Sequence, residues 1–193
     1  MTGGSALSEF YLHHRLSEDL DFFTEKEEVD QRITNAFLKK IAAKLKVKEI
    51  KKSQFLGLFS YILVYDDSTK LKLDFNYYPF SQIEKGTKYK NLVVDSVYDI
   101  AANKLYTIFT KPRSRDYIDL YCIMKRYDYS LEKLILDAKA KFDWDIDRIT
   151  LASQFIKVTD IDESNMMLLS FDKDAMDTYF LELTELLKKD IFR

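Results

Sequence analysis

Apolar residues recur along this chain with two different periods, and the change falls near its middle. In the first half they tend to alternate with polar ones. Leu20, Phe22 and Phe23 interleave with Asp19 and Asp21, so the second half of residues 16–23 predicts a strand. Residues 47–53 alternate with Lys48, Lys51 and Lys52, and Phe55 to Tyr65 is a run of aromatic and branched residues. Asp66-Asp67-Ser68-Thr69 signals a turn, and Lys70 to Tyr77 alternates again, so these last two runs predict an antiparallel hairpin. Two stretches here have the other period. Ser5 to His14 predicts a short helix opening directly after two glycines. Val29, Ile33, Ala36, Phe37, Ile41 and Leu45 predict an amphipathic helix with a lysine-rich outer face.

Beyond Pro79 the pattern changes. Residues 81–91 are polar and read as a loop. Five helical segments follow: Val97–Phe109 with Asp95 or Ser96 as cap, Ser114–Tyr127, Leu131–Phe142 capped by Ser130, Asp145–Val158 and Asp172–Ile191. Strands early and helices late predict an α+β protein with a mixed sheet, divided into residues 1–95 and a helical C-terminal lobe, 96–193.

Composition narrows the function classes. The chain has 193 residues, 47% of them hydrophobic, which is enough to bury a core in one domain or two small lobes. Only four Gly and two Pro occur, which excludes a low-complexity chain. A net charge of −2 excludes a generic nucleic-acid coat, so any such contact must come from a local patch. Cys122 is the only cysteine and can form no internal disulfide. No apolar run suits a membrane and no signal peptide opens the sequence, so the expectation is a cytoplasmic protein. Gly3 and Gly4 stand at the very start. The ordered element that usually precedes such a loop is missing, which predicts a domain lacking its first element.

Three features carry candidate chemistry. Gly3-Gly4-Ser5 precedes a helix, where glycines permit close approach and free N–H groups attract phosphate; the Ser5 hydroxyl adds a donor. Asp19 and Asp21, two apart on a strand, project to one face and suit a divalent cation. Asp74 is a lone acid in the apolar strand Leu73-Asp74-Phe75. Beside Asp19 and Asp21 it would complete a three-carboxylate site for in-line displacement at phosphorus, with Ser5 at its rim. Separately, each has an ordinary reading: a turn, a solvated strand face, an edge charge that discourages aggregation.

Together and in this order, with thirteen residues between Ser5 and Asp19, they resemble the DNA polymerase beta-like nucleotidyltransferase superfamily. Gly3-Gly4-Ser5-Ala6-Leu7 and Arg15-Leu16-Ser17-Glu18-Asp19-Leu20-Asp21-Phe22-Phe23 are similar to the AbiEii/AbiGii toxin group. So are Ala101-Ala102-Asn103-Lys104-Leu105 and Arg115-Asp116-Tyr117-Ile118-Asp119-Leu120-Tyr121. The resemblance spans about residues 2–122. It implies a nucleotidyltransferase that moves an NMP from an NTP to an acceptor hydroxyl with Mg²⁺ or Mn²⁺. It also implies the toxin of a toxin–antitoxin or phage-defence pair, acting on tRNA or another RNA and partnered by an antitoxin protein. Gly3, Gly4, Ser5 and Lys104 would bind the nucleotide, and Asp19, Asp21 and Asp74 the metal. Asp74 would also help take the acceptor's proton. Arg115, Asp116 and Asp119 would support the site, or else Asp116 and Asp119 pair with Arg113, Arg115 or Lys104 to lock the lobes. Arg15 and Ser17 would shape the loop before Asp19. A small-molecule nucleotidyltransferase and a non-catalytic nucleotide-binding module are the alternatives. An RNA acceptor favours lysines lining the cleft, and a small molecule an enclosed acidic pocket.

Other residues carry less. His13-His14 lacks zinc partners, and Cys122 among apolar neighbours reads as core. Lys39, Lys40, Lys44, Lys46, Lys48, Lys51 and Lys52 read as a solvated face or a basic patch beside the site. Asp143, Asp145 and Asp147 lack the glycine and terminal glutamate of a calcium loop and read as a helix start.

Overall fold

A computed structural model describes residues 1–161 and 166–191. Four strands, Asp19–Thr24 (β1), Glu49–Phe55 (β2), Leu58–Val64 (β3) and Lys70–Tyr77 (β4), form a mixed sheet in the order β1-β4-β3-β2. β1 and β4 are parallel; the other pairs are antiparallel. The expected hairpin through residues 66–69 is β3–β4. A second hairpin, β2–β3, turns on Leu56 and Gly57, both at positive φ (42° and 83°), the backbone that a two-residue turn between twisted strands demands. Phe55 therefore ends β2 and does not open β3.

The polar stretch 81–91 contains a strand that its pattern hides. Thr87–Tyr89 (β5) pairs with Leu92–Val94 (β6). The β5 residues are all exposed, so no burial imposes an alternation on them.

Gln31–Ala42 (α2) is helical, with Asp30 capping it through the Arg32 and Ile33 amides. Its rotation differs from the expectation. Thr34 and Leu38 face the sheet, while Ile33 and Phe37 stand 69% and 52% exposed. The Tyr61 hydroxyl donates to Asn35 Oδ1 at 2.9 Å and pins the helix in that orientation. Leu38 joins Phe59, Tyr61, Leu63 and Leu73 in a small core between α2 and one sheet face.

The remaining helices pack around a larger core. Gly3–Leu7 (α1) runs into a π-helical turn, Ser8–Leu12. Val97–Thr110 (α3), Ser114–Arg126 (α4), Leu131–Phe142 (α5), Arg148–Ile156 (α6) and Lys173–Ile191 (α7) complete the set. Ser96, Ser130 and Asp147 accept backbone N–H bonds as N-caps of α3, α5 and α6. Ala6 and Leu7 of α1 are fully buried among Ile100, Leu105, Ile118 and Leu120. The short opening helix thus buries Ala6 and Leu7 in the core of the helical half while its glycine end lies against β1. Among the described residues no helix is long and apolar enough to cross a membrane.

Candidate active site

Parallel pairing sets Asp21 opposite Asp74 and Asp19 opposite Lys72. Alternation along a strand then decides which face each side chain takes. Leu20, Phe22, Leu73 and Phe75 join the small core under α2, so Asp19, Asp21, Lys72 and Asp74 lie on the opposite face. Lys72 Nζ sits 2.6 Å from Asp74 Oδ2 and 3.6 Å from Asp19 Oδ2. The other Asp74 oxygen, Oδ1, is buried and accepts no hydrogen bond among the described residues. Burial, and the charges of Asp74 and Asp19, raise the Asp21 carboxyl above its ordinary pKa, against the opposing pull of Lys104 and Lys72. Burial also disfavours the Lys72 charge, but the bond to Asp74 and the surrounding carboxylates leave its pKa above the usual lysine value.

The glycine loop closes on this cluster. The Thr2 amide donates to the Asp21 carbonyl at 3.2 Å, extending the sheet by one bridge. Gly3 has φ 78°, and a Cβ there would lie 2.9 Å from Asp21 Oδ2. The backbone can pass this close to the acid only without a side chain. A Cβ on Gly4 would stand 2.2 Å from Arg15 Nη2. Ser5 departs from the expected place at the rim. It is 1% exposed, and its hydroxyl bonds the Asp19 carbonyl and Ser17 Oγ, the latter at 2.8 Å. Ser5 and Ser17 thereby fix the start of β1, and the Ser5 hydroxyl is directed inward.

Behind the loop lies a buried ionic cluster. Asp119 on α4 is completely buried. It accepts from His14 Nε2 (2.9 Å), Arg15 Nε (2.7 Å) and Nη2 (2.8 Å), and it pairs with Lys104 Nζ (2.7 Å). Lys104 on α3 also bonds Asp116 Oδ1 at 2.6 Å, and Arg113 holds the same carboxylate at 2.9 Å. Burial pushes the Asp119 carboxyl up, but Lys104, His14 and Arg15 outweigh it and hold the group well below the usual carboxylate range. The pairing read for Asp116 and Asp119 is therefore present, with Lys104 and Arg113. Arg115 has no ion-pair partner among the described residues. Arg15 shapes the loop, as expected, by anchoring it to α4.

The ionic cluster meets one of the strand acids, Asp21, at a cavity of about 230 Å³, lined by Thr2, Gly3, Asp21, Lys104, Arg113 and Asp116 among others. Lys104 spends two of its three ammonium protons on Asp116 and Asp119. Asn103 Oδ1 is buried without a hydrogen-bond partner among the described residues. Asn103 and Arg113 line this cavity, a place the sequence did not give them: Asn103 stood there only within the Lys104 motif, and Arg113 only as a pairing partner of Asp116 and Asp119. Their signal was position: Asn103 adjoins Lys104, and Arg113 lies three residues before Asp116.

The remaining candidates fall outside this cavity. The α2 lysines Lys39 and Lys40 are exposed behind the sheet, on the face opposite the acids, and Lys44, Lys46, Lys48, Lys51 and Lys52 are also exposed. His13 is exposed, whereas His14 is 3% exposed beside Asp119. Burial pushes the Cys122 thiol up to about 12, which disfavours the thiolate. Asp147 caps α6 and Asp145 pairs with Lys139 at 2.6 Å.

Among the described residues no three His, Cys, Asp or Glu side chains stand gathered closely enough to hold a metal ion. The donors nevertheless fit a hard divalent cation: carboxylates in excess, one buried oxygen unpartnered, and an ammonium already between two of them. The AbiEii model, described as a nucleotidyl transferase toxin of a type IV toxin–antitoxin system, matches residues 1–188. A crystal structure of JHP933 from Helicobacter pylori is similar at TM-score 0.63 and 20% identity, covering 98% of this chain and 83% of that one. A crystal structure of a candidate nucleotidyltransferase from the same organism is similar at TM-score 0.62 and 20% identity, covering 98% and 85%. No curated protein matches the chain.

Proposed function

This chain belongs to the AbiEii nucleotidyl transferase toxin family, and from that premise we propose that it moves an NMP from an NTP onto a hydroxyl of an RNA, tRNA first among the candidates, in a metal-dependent reaction. The observation that carries the reading is the in-register pair Asp21 and Asp74, with Asp19 on the same face. Asp19, Asp21 and Asp74 would hold Mg²⁺ or Mn²⁺, which neutralises triphosphate charge and acidifies the attacking hydroxyl when bound. Asp74 Oδ1, unpartnered, accepts the hydroxyl proton. Lys104 and Arg113 face the cavity, where they offset charge on the departing pyrophosphate. The new bond joins acceptor oxygen to the α-phosphorus, and the bond from that phosphorus to the bridging oxygen breaks.

A macromolecular acceptor is favoured by what lies beside the acids. Ser60 pairs with Asp74 and Ile62 with Lys72, and Lys51 pairs with Ile62 on the next strand. Ile62 and Val64 belong to neither hydrophobic core. The acid-bearing sheet face therefore continues as an open surface away from the site, unlike the enclosed acidic pocket that suits a small molecule. The α2 lysines stand behind the sheet and do not line this route. An antitoxin partner and a role in phage defence follow from the family as further parts of the proposal.

The test is direct. Each labelled NTP is incubated with the protein, Mg²⁺ and total tRNA. Label should pass to RNA from at least one NTP, and neither EDTA-treated protein nor Asp21→Asn should transfer it. Transfer that persists in EDTA sinks the metal-dependent reading. Labelling of a small molecule with none on RNA sinks the acceptor.

A further inference from the structure

We propose that Lys72 is the site's built-in counter-cation: its ammonium holds Asp19 and Asp74 together in the metal-free protein and must leave Asp74 before a divalent cation can take that carboxylate. The inference rests on the metal-dependent reading above and adds a residue to it.

The geometry comes from register. Lys72 precedes Asp74 by two on β4 and pairs with Asp19 on β1, so its stem rises on the acid face between the two strands' carboxylates. Its Nζ is 2.6 Å from Asp74 Oδ2 and 3.6 Å from Asp19 Oδ2. Three carboxylates and one lysine occupy this patch. Without the ammonium, adjacent like charges would repel at partly buried positions, where Coulomb energies are larger than in water. An ammonium is a compact point charge on a flexible stem, able to stand where a small cation would stand and to swing away. The side chain is 38% exposed, and Ile62, its neighbour on β3, lies on the open side of the site. Lys72 can therefore withdraw without disturbing either core.

Two consequences follow. Metal alone binds weakly, because it must displace an ion pair. Metal arriving with a triphosphate binds better, because the nucleotide supplies oxygen ligands and offers the freed ammonium an anion. Lys72 is on this account a positioning residue.

The test uses Mn²⁺ alone as the probe, titrated by calorimetry into the purified protein, with thermal melts in parallel. Lys72→Met should bind Mn²⁺ about tenfold more tightly than the wild type and melt lower in EDTA. Lys72→Arg should restore both the wild-type melting temperature and the weak Mn²⁺ affinity. Equal affinity in wild type and Lys72→Met overturns the proposal alone. No Mn²⁺ binding by either, even with NTP, overturns the metal-dependent reading and this proposal with it. A measurement on the wild type guards against a variant that fails to fold. The ¹⁵N signal of the Lys72 ammonium, assigned with Lys72→Arg, should shift on adding Mg²⁺ with NTP. A signal that stays fixed while Mg²⁺ and NTP bind also overturns the proposal.

Discussion

The acids on β1 and β4 and the acids on α4 approach one another at a cavity that Asp21 and Asp116 both line, and the two groups are treated in opposite ways. Asp119 has no exposed surface and is met by His14, Arg15 and Lys104; Asp116 is met by Lys104 and Arg113. These ion pairs fix the loop that follows α1 to α3 and α4. Among the described residues, Lys72 alone stands at ion-pair distance from Asp19 and Asp74, Asp21 has no ion-pair partner, and one Asp74 oxygen has no hydrogen-bond partner. A buried carboxylate saturated with cations is structural, because removing it strands the partners. A carboxylate group short of cations is strained alone and relieved by a ligand. Lys104 touches both regions: its ammonium belongs to the ionic cluster, and it lines the cavity beside Asp21.

The contrast is most sharply tested by neutralising one acid in each region. Asp119→Asn should lose about 3–5 kcal/mol in urea unfolding, since three buried cationic or donor groups lose their common acceptor. Asp74→Asn should change metal-free stability by less than about 1 kcal/mol, because it breaks a part-exposed pair but relieves repulsion. Its transfer rate should nevertheless fall by about 10²-fold or more. Equal destabilisation of the two variants would remove the distinction drawn here.

A smaller effect tests the loop. Gly4→Ala places a Cβ against the Arg15 guanidinium and should cost about 1–3 kcal/mol through that overlap, with β2, β3 and α2 unaffected in hydrogen exchange.

Acid titration separates the regions by sign. The Asp119 pKa is depressed in the fold, so its stabilisation is complete above the unfolded value of about 4 and is lost as pH falls below it. The Asp21 pKa is raised, so its contribution is complete below about pH 4 and is lost as pH rises through the folded value. In metal-free melts Asp21→Asn should gain on the wild type as pH rises from about 4 to about 7, while the deficit of Asp119→Asn should stay level over that range and shrink as pH falls below about 4. Gaps that change over the same pH range and in the same direction would contradict the assignments.

The smallest effect is expected behind the sheet. Phe37→Ser on the exposed face of α2 should alter stability by no more than about 0.5 kcal/mol and leave transfer unchanged. A loss of transfer there would draw α2 into the acceptor's route.

Several elements could be read from local pattern because local physics sets them. Leu131–Phe142 is helical between the residues that its cap and apolar spacing indicate, and Lys70–Tyr77 alternates because one face meets a core. The parity of Asp19 and Asp21 follows from the period of a strand. The sequence by itself thus determined the strand-then-helix order, the face shared by Asp19 and Asp21, and the motifs that mark the family. Tertiary structure decided the rest. Whether Ile33 or Leu38 faces the sheet depended on Tyr61 reaching Asn35, a contact 26 residues distant. The inward turn of Ser5 depended on where β1 begins. Arg15 and Asp119, 104 residues apart, meet only because α1 packs against α4. The position of Lys72 required the parallel register of β1 with β4. Pairing between distant segments leaves no period in either, and an ion pair is fixed by the meeting of two elements, which neither segment encodes alone.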